Sequence, residues 1–244
     1  MNQLTTPRKS VHTGGMEQDI YDSYIGALAT RLPLEDLDLL EIGCGEGRIT
    51  RDLAPRCRHV VAVDTDRRLV ERAMERCSDR GVSFHVVSGG DRLPFPKGSF
   101  DVVLYSLSLH HIPREQMGQH LEMTASLLRP DGVIAVIEPA DGGSYTFAKE
   151  YFGAGSGDER RQRAHALQAI RGLKGWNRSL PIPFDVTWRF DSPEEFITTL
   201  VPHWGVMTDR RQEELLFFLE RHRTDGGILL DAARILVILS RDPR

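Results

Sequence analysis

Cysteine is scarce: Cys44, Cys57 and Cys77 are the only three in 244 residues, an odd number with no close pair. Such spacing supports neither a disulfide framework nor a zinc site. No apolar run approaches the roughly 18 residues that read as a membrane span. The opening stretch, Met1 to Ser10, is polar and lacks the apolar core of an export signal, so a reduced, cytoplasmic protein is expected. Lysine is rare too, with 4 against 27 arginines, a bias given little functional weight. Neither sign of charge is in excess: 31 basic and 35 acidic side chains leave −4 at pH 7. That balance argues against a general nucleic-acid binder, whose affinity rests on neutralising phosphates. No internal repeat or low-complexity tract is present. The composition is that of an ordinary globular protein, 40% hydrophobic and 27% charged, with enough Val, Ile and Leu to bury a core. The length suits one large domain, or one domain with an insertion.

Apolar runs bounded by turn signals recur at Leu37–Ile42, His59–Val63, Ser83–Val87, Asp101–Leu107 and Val133–Ile137. Consecutive Val, Ile and Leu mark strands buried on both faces, hence a parallel sheet. Helical spacing fills two gaps, with Leu69, Val70, Ala73, Met74 and Cys77 in one. The other holds Met117, Leu121, Thr124 and Leu128, flanked by His120 and Leu127. Arg129-Pro130-Asp131-Gly132 reads as a helix stop and a turn into the fifth strand. The alternation predicts an α/β, doubly wound sheet with helices on both faces.

Beyond Pro139 the pattern is less regular. Gly142, Gly143, Gly153, Gly155 and Gly157 mark a flexible stretch, and a basic helical segment follows at about 158–174. Pro181, Pro183 and Pro193 break the next stretch. Ser192-Pro193-Glu194-Glu195 has the form of a capping box. A helix is expected over Arg211–Arg223 and a last strand over Ala232–Ser240. The expected organisation is an N-terminal helical segment or lid (1–36), a core (37–140), a helical insertion forming an acceptor pocket (141–205), and a closing helix and strand (206–244).

The strongest local signal is Glu41-Ile42-Gly43-Cys44-Gly45-Glu46-Gly47-Arg48, which follows a strand and opens a helix. Glycines there let the backbone turn sharply and approach a ligand. A dinucleotide loop wants a third small residue where this chain has Arg48, and no Gly-Lys-Ser/Thr follows as a Walker loop requires. Two acids, Glu41 and Glu46, are poor company for a diphosphate and suit a cationic ammonium or sulfonium group. Asp64 ends the second strand, where an acid can accept hydrogen bonds from both hydroxyls of a ribose. Asp66 is the better helix cap, which leaves Asp64 for that role.

Together these residues resemble the first two motifs of the class I S-adenosylmethionine-dependent methyltransferases. Gly90-Asp91-Arg92-Leu93-Pro94-Phe95 resembles the segment after the third strand of that family, although Arg92 replaces its usual small residue. Ser99-Phe100-Asp101-Val102-Val103 resembles the fourth strand. His110-His111-Ile112 and Leu127-Leu128-Arg129-Pro130-Asp131-Gly132 are similar to the branch named for ubiquinone and menaquinone C-methyltransferases. The resemblance spans about residues 37–140. It implies a Rossmann-like sheet of about seven strands, mostly parallel with an antiparallel last strand. It also implies S-adenosylmethionine as cofactor and S-adenosylhomocysteine as product. By the same resemblance, Glu41 would sit near the methionine amino group and Gly43, Cys44 and Gly45 under the cofactor. Asp64 would hold the ribose, Thr65, Asp91, Arg92 and Leu93 would border the adenine, and Ser106 would face the methionine. Tyr21, in an N-terminal helix, is a lid candidate, against the plainer reading that Tyr21 and Tyr24 pack a helix. Cys44 reads as a small loop residue rather than a nucleophile.

A sulfonium methyl needs mainly an aligned acceptor. A base is required only for acceptors such as a hydroxyl or an acidic carbon. His110 and His111, after the fourth strand, and Glu138, ending the fifth, are the candidate catalytic residues; a structural turn and a helix cap or ion pair are the competing readings. Tyr145, Phe147, Tyr151, Phe152, Trp176, Phe184 and Trp188 suit an apolar or planar small-molecule acceptor, or simple core packing. Arg160, Arg161, Arg163, Arg171, Lys174 and Arg178 form a solvated helix face or a patch for an anionic acceptor. The function expected is methyl transfer to an O, N or C atom of a small molecule, by a monomer or a homodimer. The rivals are a non-catalytic S-adenosylmethionine-binding regulator or scaffold and, further off, an NAD(P)-dependent oxidoreductase. No motif of a nucleic-acid or protein-arginine methyltransferase appears.

Overall fold

The computed structural model describes residues 15–77, 81–89 and 92–242. Its first elements are strand β1 (Glu17–Gln18), helix α1 (Ser23–Ala29), β2 (Asp38–Ile42), α2 (Arg48–Leu53), β3 (His59–Asp64), α3 (Arg67–Arg76) and β4 (Val82–Val86). Then come β5 (Phe100–Ser106), α4 (Arg114–Ala125), β6 (Leu128–Pro139), α5 (Ser144–Phe152) and α6 (Arg160–Gly172). The last are β7 (Trp176–Arg178), β8 (Ile182–Phe190), α7 (Pro193–Leu200), α8 (Asp209–Glu220), β9 (Arg223–Thr224) and β10 (Gly227–Arg241). Two compact units emerge, each assembled from separate stretches of chain. The larger takes in residues 25–139, 161–183 and 235–242, the smaller 15–24, 140–160 and 184–234.

In the larger unit the strand order is β4-β3-β2-β5-β6, with the second half of β10 beside β6. β2 is central: Leu40 pairs in parallel with Val61 of β3 and Val103 of β5. Leu39, Leu40, Val60, Val61, Val102 and Val103 are all buried. Both faces of these strands are therefore covered, as the continuous apolar runs require. Asp66 caps α3 as expected, accepting the N–H groups of Arg68 and Leu69. Several polar side chains inside this unit pair off; the Tyr105 hydroxyl lies 2.8 Å from both His120 Nδ1 and Thr124 Oγ1.

The Arg129-Pro130-Asp131-Gly132 reading needs correcting. α4 already ends at Ala125, and these four residues lie inside β6. Phe100 pairs with Leu128 but Val102 with Val133, so the segment bulges out of the ladder opposite Asp101. Arg129 uses the bulge to reach Asp101 and Asp38 at the start of β5 and β2.

In the smaller unit β1 pairs antiparallel with β8, Glu17 lying opposite Arg189, and β9 forms a hairpin with the first part of β10. β8 neighbours β10. The described strands number ten, in a mixed arrangement, rather than about seven. β1, β7 and β9 have only two or three residues each, too few to show a period, and prolines 181 and 183 disguise β8. Pro193 opens α7, and the Ser192 hydroxyl accepts the Glu195 N–H at 3.3 Å. The Glu195 carboxylate reaches one residue further back than a capping box would, to the Asp191 N–H at 2.6 Å.

Candidate functional site

The carboxyl ends of β2, β3, β5 and β6 bring the larger unit's candidate residues together, at the edge where open α/β sheets bind ligands. Gly43, Gly45 and Gly47 all have positive φ, at 74°, 54° and 74°. Their surroundings differ. A Cβ on Gly43 would lie 2.4 Å from the Ser108 Cβ, and one on Gly47 would lie 2.9 Å from the Ala73 Cβ. A Cβ on Gly45 would meet nothing within 4 Å. Gly43 and Gly47 therefore serve close packing, and Gly45 is the position with open space before it.

Asp64 is aimed at that position. One of its oxygens accepts the Gly45 N–H at 2.8 Å and the other the Asp66 N–H at 3.0 Å. Each oxygen retains a second lone pair for a ligand hydroxyl. Thr65 is exposed next to Gly89. Gly90 and Asp91 lie outside the described residues. Arg92 is exposed, whereas Leu93 is buried in the core cluster with Val61 and Val63 and belongs to the scaffold.

The two loop acids are not free carboxylates. Glu41 is fully buried, and its oxygens accept the hydroxyls of Thr50 and Ser106, both at 2.5 Å. Burial pushes its carboxyl pKa above the ordinary range. It ties β2 to α2 and β5, and Ser106 is engaged in the same tie. Glu46 pairs with Arg72 at 2.9 Å and with Arg76, both on α3. Burial, reinforced by the charges of Glu41 and Asp64, raises the Cys44 thiol pKa far above the usual value, which disfavours the thiolate.

Beyond β5, Leu107 takes a left-handed φ of 59°, costing about 1 kcal/mol in a residue with a Cβ. That turn sends Ser108 back to donate to the Ile42 carbonyl at 2.5 Å. Ser108 thereby fixes the glycine loop. Its only trace in the sequence is the second serine of Ser106-Leu107-Ser108. The next residues form a 3₁₀ turn, Leu109–His111. His110 is 3% exposed and Glu138 1%. His110 Nδ1 lies 2.5 Å from Glu138 Oε2, and the His110 backbone N–H donates to Oε1 at 3.3 Å. In the tautomer in which Nδ1 donates to this carboxylate, Nε2 is the nitrogen that can accept. His111 is exposed, its ring 4.1 Å from that of His110. The structure thus joins two candidates, His110 and Glu138, into a buried dyad.

Tyr21 lies in the turn before α1 rather than in the helix; Tyr24, inside α1, is the buried tyrosine. Trp176 belongs to the larger unit, while Tyr145, Phe147, Tyr151, Phe152, Phe184 and Trp188 fall in the smaller. The arginines of 160–178 do not form a single patch. Arg160 pairs with Asp158 at 2.6 Å, Arg163 is buried, and Arg178 donates to the Arg171 carbonyl at 2.9 Å.

Residues 39–132 match the sequence profile of a family described as methyltransferase domain. A ubiquinone biosynthesis O-methyltransferase from Caulobacter vibrioides is 31% identical over 110 residues, covering 44% of this chain and 43% of that protein. A 27-O-demethylrifamycin SV methyltransferase from Amycolatopsis mediterranei is 37% identical over 114 residues, covering 45% and 41%. The chain therefore spans somewhat under half the length of these curated relatives. A solved structure from Bacillus halodurans C-125, itself named only provisionally as a methyltransferase, superposes with a TM-score of 0.60 at 14% identity, covering 90% of this chain and 98% of that one. This likeness supports the resemblance to class I S-adenosylmethionine-dependent methyltransferases read from the sequence. Among the described residues, no helix is long and apolar enough to cross a membrane.

Proposed function

We propose that this chain transfers a methyl group from S-adenosylmethionine to an O, N or C atom of a small-molecule acceptor. The residues present fit the cofactor: the open face of Gly45 beside the Asp64 carboxylate is a cradle that a side chain would fill. Asp64 would hold the ribose hydroxyls. Thr65, Asp91 and Arg92 would border the adenine, and Gly43 and Cys44 would complete the loop. When bound, the cofactor supplies an electrophilic sulfonium methyl.

The observation that carries the reading is the buried His110–Glu138 pair at the carboxyl edge of β5 and β6. Glu138 orients the imidazole, and His110 Nε2 takes the proton of an acceptor hydroxyl or acidic carbon. The carboxylate then stabilises the imidazolium that forms, as the acid of a catalytic triad does. The test is a turnover assay with a panel of phenols, amines and acidic carbon compounds, run beside calorimetry with S-adenosylhomocysteine. His110→Ala is expected to lower kcat on the best acceptor by about 100-fold or more, and Glu138→Gln by about tenfold. Affinity for S-adenosylhomocysteine should stay within about twofold. Full turnover in His110→Ala removes the base assignment. Binding without transfer to any acceptor establishes a cofactor-binding regulator instead.

A further inference from the structure

β10 has one residue that breaks its own pattern. Ile228, Leu230 and Ala232 are fully buried. Strand alternation puts residue 234 in the same row, and that residue is an arginine, 5% exposed. Its Nε donates to the Tyr24 hydroxyl at 3.2 Å and a terminal nitrogen donates to the Ala233 carbonyl at 2.9 Å. Neither partner is an anion, and no ion pair joins Arg234 to a described carboxylate. Asp19, on the same unit and 1% exposed, uses its two oxygens for the N–H groups of Ser23 and Tyr24. Glu159 is held by Lys149 at 2.6 Å. A buried cation with no direct ion pair is costly, and an anionic ligand would offset that cost.

A second, independent observation points the same way. Trp188 of β8 is 9% exposed, and its buried Nε1–H has no hydrogen-bond partner. Thr187 donates to Asp231 at 2.8 Å, which puts those two side chains on one face of β8 and β10. Alternation then puts Trp188 and Arg234 together on the other face. Tyr145 stacks on Trp188 with ring centroids 4.1 Å apart and an interplanar angle of 13°. Tyr24 meets Phe184 edge-on at 5.7 Å. Burial raises the Tyr145 phenol pKa, and the charge of Arg234 opposes that rise, so the two groups feel each other.

We propose that Arg234 and Trp188 bind the carboxylate of a planar, apolar small molecule. The flat guanidinium matches a carboxylate through parallel N–H bonds. The indole N–H adds a third donor, and the stacked Tyr145–Trp188 faces suit a flat ring.

The test is calorimetric titration of the full chain with 2-naphthoate and its neutral isostere 2-naphthamide. Wild type is expected to bind the acid at least about tenfold more tightly than the amide. Arg234→Met should lose that preference while melting at or above the wild-type temperature, because it removes an uncompensated buried charge. Arg234→Lys, which keeps the charge but not the fork, should also bind the acid about tenfold more weakly. Trp188→Phe should weaken it by about threefold. Equal binding of acid and amide by wild type overturns the proposal, as does full affinity for the acid in either Arg234 variant. Titration with S-adenosylhomocysteine separates the two readings. If wild type does not bind it, the methyl-transfer reading fails, and the acid–amide comparison still decides the carboxylate site on its own.

Discussion

Buried polar groups are handled differently in the two units. In the larger, Glu41 meets Thr50 and Ser106, Tyr105 meets His120 and Thr124, and His110 meets Glu138. Each pair ties one element to another, and together they hold a loop and a dyad in fixed positions. In the smaller, Arg234 and the Trp188 N–H face no anion or acceptor of comparable strength. A scaffold for an invariant ligand gains by satisfying its own polar groups, because preorganised geometry lowers the cost of binding. A surface that selects among ligands gains by leaving donors for the ligand to satisfy, since a wrong ligand then leaves them buried and unpaired.

This contrast can be broken or sharpened by substitutions of decreasing effect. Asp64 holds the Gly45 and Asp66 N–H groups and is proposed to take the ribose as well, so Asp64→Ala should weaken S-adenosylhomocysteine binding about 100-fold in calorimetry and lower stability by about 1 kcal/mol; an unchanged Kd refutes the ribose assignment. Gly43→Ala should cost about 2–3 kcal/mol in denaturant unfolding, because its Cβ would collide with Ser108 in a left-handed backbone conformation. Asp38, at the opposite end of β2 from the loop, is held by Arg58 and Arg129, and its pKa is pushed down from 3.8 to about 2. A depressed carboxylate contributes stability that is present above the ordinary carboxylate pKa and is lost as pH falls from about 4 toward 2. Asp38→Asn should accordingly cost about 1–2 kcal/mol at pH 7 and flatten that acid limb of a thermal-melting profile. Glu41, three residues along the same strand, has the opposite sign. Its raised pKa gives stability that is present at low pH and lost as pH rises through that value. Glu41→Gln should therefore remove this decline with rising pH, the smallest of the four effects, with the melting temperature at pH 7 unchanged or slightly higher. A steeper decline in the variant contradicts the assignment.

The parallel strands, the glycine loop and the Asp66 cap were legible in the sequence because each depends on local pattern. Consecutive apolar residues, a glycine spacing and an acid just before a helix are all contained within a few positions. The fate of the loop acids was not legible. Glu41 and Glu46 look alike in sequence, yet one is buried against residues 9 and 65 positions away and the other is paired with α3. The bulge at 129–132 was hidden because proline and glycine beside a helix end signal a turn just as strongly as a break in a strand ladder. The His110–Glu138 contact links residues 28 apart, and only the adjacency of β5 and β6 brings them within reach. Arg234 carries a local signal that went unread: a charged residue in the buried row of an otherwise alternating strand.

β10 is divided between the units, its residues up to 234 serving the smaller and those from 235 the larger. During synthesis, neither unit can complete its strand set until the β10 residues have left the ribosome. The β2-β3-β4-β5 portion can form early from contiguous sequence, but its last neighbours must wait. Closure over such separations is slow and exposes unpaired strand edges in the meantime. A truncation just before Gly227 would therefore not trim one edge; it would remove the strand that lies between β8 and β6 and leave both of those strands open to pairing with another chain.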